Sequence, residues 1–143
     1  MGEMLFYECP HCGNKYELNF GIGFMWHSFE KDMFYPENKN CRFNIYDELD
    51  KEILDKVHKF IEESEDVIIN NVYYKPYICK ECGKIESKIY FNIMSYPSGK
   101  VFRPKYKCEY GGNLRKLSSK EEKHIFCHKC GTEMTQTDVL MWD

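Results

Sequence analysis

The frame C-x-x-C-G occurs three times in this chain, as Cys9-Pro10-His11-Cys12-Gly13, Cys79-Lys80-Glu81-Cys82-Gly83 and Cys127-His128-Lys129-Cys130-Gly131. Two intervening residues let both sulfurs of a turn face one point. Backbone N–H groups of the turn can donate to the thiolates, and the glycine accepts the left-handed conformation that closes it. Each knuckle therefore offers two ligands, and two knuckles complete the four-thiolate tetrahedron that holds structural zinc at ~2.3 Å. Disulfide frameworks scatter their cysteines rather than repeat a glycine-closed frame. A thioredoxin-like C-x-x-C opens a helix after a βαβ strand, whereas here glycine follows each second cysteine and strand-forming residues flank it.

Eight cysteines are present, so two lie outside the frames: Cys41 and Cys108. Cys108 stands in Lys107-Cys108-Glu109-Tyr110-Gly111-Gly112, which reads as a knuckle that has lost its second cysteine but kept its glycines. The simplest arrangement is two sites. Cys9, Cys12, Cys79 and Cys82 form the first; Cys108, Cys127 and Cys130 form the second. The second then needs a fourth ligand from Cys41, His124, His128 or water. His128 lies inside its knuckle, as His11 does in the first, where side chains tend to point outward.

Around the cysteines the chain reads as short strands and one helix. Leu5-Phe6-Tyr7 and Tyr16-Glu17-Leu18-Asn19-Phe20 flank the first knuckle, and Gly21-Ile22-Gly23 breaks the second of these strands. The stretch Phe24–Asn40 is irregular, with aromatics that suggest a packed loop. From Ile45 to about Ser64, Ile45, Leu49, Ile53, Val57, Phe60 and Ile61 repeat at helical spacing, with Asn44 as the cap. Asp47–Lys51, Glu52–Lys56 and Asp55–Lys59 add acid-before-base pairs on the outer side. Strands follow at Val67–Ile69, Val72–Tyr74, Ile85–Met94, Val101–Lys107, Ile125–Phe126 and Met134–Trp142, with a turn at Pro97-Ser98-Gly99. The expectation is an α+β fold of two zinc-ribbon units built from short antiparallel strands, with one inserted amphipathic helix. Residues 1–97 would be the first ribbon with its insertion, and residues 98–143 the second.

The composition, 43% hydrophobic and 16% aromatic, can furnish a core. No stretch approaches the ~20 apolar residues a membrane span requires. Met1–Glu8 lacks the basic and apolar regions of a secretory signal, which predicts a cytoplasmic address where thiols stay reduced. The net charge of −3 is uneven: Lys100–Lys129 carries nine Lys or Arg against three Glu, a local +6. That split describes a basic binding face or two halves that attract one another.

Together the knuckles, Gly21-Ile22-Gly23, the inserted helix and the terminal Trp142-Asp143 resemble small bacterial double zinc-ribbon proteins. The resemblance spans most of the chain and implies a fold and bound metal, but no activity. The departure from that pattern is at Cys108, where a complete knuckle is expected.

Motifs of catalysis are missing. There is no H-E-x-x-H, no zinc-deaminase pattern, no P-loop and no dinucleotide fingerprint. His11, His27, His58, His124 and His128 are scattered; His58 reads as a surface residue and Trp26-His27 as part of the packed loop. No catalytic residue is assigned. The first expectation is therefore a structural zinc module that serves as a protein–protein adaptor. The alternative is a nucleic-acid-binding ribbon with Lys105, Lys107, Arg115 and Lys116 on phosphates, although the chain as a whole is acidic. A third is a metalloenzyme with an open second site.

Overall fold

A computed structural model describes residues 2–22, 30–36 and 45–142. The fold is mixed α+β, as the alternation of strand and helix patterns predicts. Its strands are β1 (Gly2–Glu8), β2 (Lys15–Gly21), β3 (Asp66–Cys79), β4 (Ile85–Tyr96), β5 (Val101–Phe102), β6 (Leu114–Lys116) and β7 (Thr135–Trp142). The helix α1 is Lys51–Glu62. Among the described residues, these seven strands form one antiparallel sheet in the order β5-β4-β3-β2-β1-β7, with β6 also on β3.

The chain divides into two compact units, each assembled from separated segments. One comprises Met1–Phe24, Tyr73–Lys88 and Lys105–Asp143; the other comprises Met25–Val72 and Ile89–Pro104. This interleaving differs from a boundary near residue 97. The reason is that the last strand does not pair within a C-terminal ribbon. It returns to the first, with Glu8 opposite Thr135 and Gly2 opposite Trp142.

In the first unit, β1 and β2 form a hairpin whose register runs from Glu8↔Lys15 to Gly2↔Gly21, so the first knuckle is its tip. Alternation along β2 buries Tyr16 and Leu18 while Lys15 and Glu17 face water. Those two side chains join a core of Tyr7, Ile85, Leu117, Ile125 and Met134. Cys9 and Cys127 lie within the same core, so their sulfurs sit where water is scarce.

The second unit holds the helix. Ile53, Leu54, Val57 and Ile61 are its buried stripe, at the three-to-four spacing an amphipathic helix requires. Glu52–Lys56 makes the expected pair on the outer side at 3.2 Å. The helix starts at Lys51 rather than Ile45. Residues Tyr46–Glu48 form a separate 3-10 turn and Leu49 is extended. Ile45 and Leu49 are nevertheless buried, so apolar spacing was satisfied without helical backbone. The expected cap, Asn44, lies outside the described residues; Asp50 takes the capping position. His58 is no bystander. Its Nε2 donates to the Phe34 carbonyl at 2.7 Å and its ring stacks on Tyr35 at 4.3 Å.

Two expected strands, Val67–Ile69 and Val72–Tyr74, are one. Strand β3 runs through Asn70-Asn71, with Asn71 in the left-handed region at φ 55°. It ends at Cys79, and the second knuckle joins it to β4. No helix among the described residues is long and apolar enough to cross a membrane.

Candidate metal centre

Three knuckles share one backbone. In each, the N–H of the first cysteine donates to the carbonyl five residues on, and the glycine N–H returns to that cysteine's carbonyl. The first bond is 2.8–2.9 Å at Cys9→Asn14, Cys79→Lys84 and Cys127→Thr132. The second is 2.8–3.0 Å at Gly13→Cys9, Gly83→Cys79 and Gly131→Cys127. All three glycines have φ of 76–77°, a conformation that a Cβ disfavours. The Cys12 and Cys82 N–H groups donate to the Cys9 and Cys79 sulfurs at 3.5 and 3.4 Å.

Strand order brings the first and third knuckles together. Because β7 lies on β1, the turn preceding β7 meets the tip of the β1–β2 hairpin. Cys9, Cys12, Cys127 and Cys130 converge with all four sulfurs within 4.8 Å of one another. Two edges are 3.4 Å (Cys9–Cys130) and 3.5 Å (Cys12–Cys127). A tetrahedron with ~2.3 Å bonds has edges of about 3.8 Å, so four thiolates at these separations fit one zinc-sized ion. Cys9 and Cys127 are buried while Cys12 and Cys130 reach the surface.

Polar groups favour the thiolates of Cys127 and Cys130, whereas at Cys12 the Asn14 N–H is outweighed by burial and the neighbouring thiols, which push its thiol up to about 11. Burial opposes ionisation of Cys127, yet the N–H groups of Cys130 and Lys129, the Cys12 thiol and Asn14 outweigh it and draw the thiol down to about 6. The Asn14 amide donates toward Cys127 Sγ at 3.6 Å, and the Thr132 hydroxyl lies 3.4 Å from Cys130 Sγ. A donor such as the Asn14 amide orients a ligand and stabilises its charge. His128 faces Tyr16 instead of the sulfurs, with Nδ1 2.7 Å from the phenol oxygen.

The second knuckle stands at the end of β3, and its partner is Cys108. Strand β6 pairs with β3 at Cys79↔Leu114, and Lys80 donates to the Asn113 carbonyl at 3.0 Å. This pins the 108–112 turn against the knuckle and places Cys79 and Cys108 sulfurs 3.5 Å apart. Cys79, Cys82 and Cys108 form a three-sulfur cluster. The N–H groups of Cys82 and Glu81 draw the Cys79 thiol down to about 7.

The observed grouping therefore differs from the simplest sequence arrangement. Cys9 and Cys12 meet Cys127 and Cys130, whereas Cys79 and Cys82 meet Cys108. Sequence proximity pointed the other way; pairing of the terminal strands decides it. Of the other candidate ligands, His124 Nδ1 is 2.7 Å from Glu133 and His128 is held by Tyr16. Cys41 lies outside the described residues, as do Trp26 and His27.

The turn at Cys108 is also not a knuckle with one residue replaced. Cys108 N–H donates to the Gly112 carbonyl, four residues on, and Gly111 N–H returns to Cys108 at 2.9 Å. The turn is one residue shorter than the knuckles. Its left-handed glycine is Gly111, at φ 90°, in the position where a complete knuckle carries its second cysteine.

Between the two clusters, within the same unit, lies a cavity of about 470 Å³. Ile78, Ile85, Leu117 and Phe126 give it apolar walls, and Cys82 and Cys127 border it. Compared with family profiles, with curated proteins and with solved structures, the chain matches none of them.

Proposed function

We propose that this chain is a zinc-binding module, with two ribbon-like sites in one compact unit, whose surface recognises another protein. The convergence of four sulfurs from Cys9, Cys12, Cys127 and Cys130, at separations suited to one tetrahedral ion, carries the metal reading. Zinc is the natural occupant of a closed four-thiolate site, with no open position for a substrate, and its binding free energy would contribute to folding. The three-sulfur cluster would hold a second, less tightly bound zinc. Seven cysteines free of disulfides fit a reducing compartment such as the cytoplasm.

A protein partner is supported by the apolar cavity beside the clusters, where Phe126 is 50% exposed. An apolar side chain presented by a partner fits such walls. Nucleic acid is the weaker reading because the basic segment is partly neutralised from within. Arg115, one of the candidate phosphate contacts, makes a two-pronged pair with Glu121 at 2.7 and 2.8 Å.

Native mass spectrometry with metal analysis tests the first half: about two zinc ions per chain are expected, and none would overturn it. For the second half, affinity capture with the wild type is compared with Phe126→Asp. A protein retained by the wild type and lost from the variant supports the reading. A partner set unchanged by Phe126→Asp, or nucleic acid as the retained species, overturns it.

A further inference from the structure

We propose that Glu81 supplies the fourth ligand of the three-cysteine site, making it a Cys79–Cys82–Cys108–carboxylate centre; this rests on the reading of that cluster as a zinc site. A zinc with three protein ligands takes a fourth, and carboxylate oxygen at ~2.0–2.2 Å is an ordinary choice. The shape of the site around Gly112 points to this residue. A Cβ placed on Gly112 would stand 2.5 Å from Cys79 Sγ, 3.5 Å from Cys108 Sγ and 3.3 Å from Glu81 Oε2. Glu81 Oε2 and two of the sulfurs thus border one point beside Gly112; the carboxylate is not within 4.8 Å of all three sulfurs, so a turn of the Glu81 side chain is what would seat it on the ion.

The short turn explains why an outside ligand is needed. With Gly111 where a cysteine would stand, the 108–112 segment offers one sulfur and bare backbone on the side facing Cys79. Glu81 sits between the two cysteines of the opposing knuckle. Among the described residues, its carboxylate has no cationic partner, whereas the neighbouring Glu109 is occupied by Lys84 at 3.1 Å. The histidines that could compete are tied to Glu133 and Tyr16. Three thiolates and one carboxylate also give the ion the same ligand charge as four thiolates.

The test uses the full chain loaded with cobalt or zinc, comparing wild type, Glu81→Gln, Cys82→Ser and Cys130→Ser. Metal stoichiometry comes from native mass spectrometry, ligand type from the cobalt d–d bands, and lability from transfer to a competing chelator. The expected result is two ions in the wild type. In Glu81→Gln the ion that depends on Cys82 should transfer about tenfold faster or more, with shifted d–d bands. The ion that depends on Cys130 should be unaffected, which also shows that the variant is folded. Two ions with unchanged bands and transfer rates in Glu81→Gln would overturn the role of Glu81 alone. A wild type that binds one ion, indifferent to Cys82→Ser, would overturn the three-thiolate zinc site itself, and Glu81 with it.

Discussion

The Tyr16 hydroxyl meets His128 twice, lying 2.7 Å from its Nδ1 and accepting its backbone N–H at 3.2 Å. Tyr16 belongs to β2 and His128 to the third knuckle, so one buried phenol fixes that knuckle on the hairpin carrying the first. Burial and the charges of Lys129 and Lys84 hold the His128 pKa below its usual value, so the neutral ring can accept the phenol proton. Tyr16→Phe keeps the ring and removes both bonds. It should cost about 1–3 kcal/mol, the usual penalty for orphaned buried polar groups, and speed metal release from the four-cysteine site. Denaturation of the zinc-loaded protein and chelator competition check this; unchanged midpoints and rates would contradict it.

Cysteine pairing can be read from double mutants. Once Cys9→Ser has broken the four-cysteine site, adding Cys130→Ser should do little further harm. Adding Cys82→Ser should cost a second ion and further stability, because residues of one site couple while separate sites act independently. Metal content and melting temperatures of the four proteins decide the matter. The opposite pattern would restore the pairing of the first knuckle with the second.

Chelation should remove the ions in order. The cluster with three thiolates should yield its ion to a mild chelator while the four-thiolate site keeps one equivalent. The labile ion should depend on Cys79, Cys82 and Cys108, and the retained one on Cys127 and Cys130. Simultaneous loss of both under graded chelation would contradict the difference between the sites.

Gly112→Ala is expected to act as a local lesion. Its methyl would stand 2.5 Å from Cys79 Sγ, closer than unbonded heavy atoms approach, so Cys79 or the turn must move. The three-cysteine site should lose its ion, with the other ion retained. Gly111→Ala meets no atom within 4 Å and carries only the strain of its φ of 90°, roughly 1 kcal/mol. Retention of both ions in Gly112→Ala would show that the turn is softer than its geometry suggests.

Generic DNA or RNA should not bind at physiological salt, because the chain is acidic as a whole, at −3, and Arg115 is paired with Glu121. A complex of micromolar affinity, with a slope of about −0.7 to −0.9 per phosphate contact against log salt and abolished by Arg115→Glu, would reverse the preference for a protein partner.

The local features were legible in the sequence because their causes are local. A C-x-x-C-G frame dictates its own turn, and Tyr16-Glu17-Leu18 announces a strand with one buried face. The apolar stripe from Ile53 to Ile61 likewise gives a helix. Reading Ile45 and Leu49 into that helix failed because burial alone repeats at the same spacing. Knuckle pairing depended on β7 crossing to β1, and no residue near Cys127 encodes a partner more than a hundred positions away. The short turn left a visible trace. Gly111 occupies the fourth place of the frame, where a left-handed glycine implies one residue fewer rather than a cysteine exchanged.

Cys9 and Cys130 are 121 residues apart, whereas Cys79 and Cys108 are separated by 29. During synthesis at ~5–20 residues per second, the first knuckle therefore waits on the order of ten seconds for the third. The three-cysteine site can close well before that. Joining the ends of the longer span also costs about 1 kcal/mol more in chain entropy. The stronger site is thus the last to form. With both sites taking zinc as proposed, a nascent chain would pass through a stage in which its weaker ion is already seated and its first two thiolates are still open to any thiol-seeking metal or oxidant.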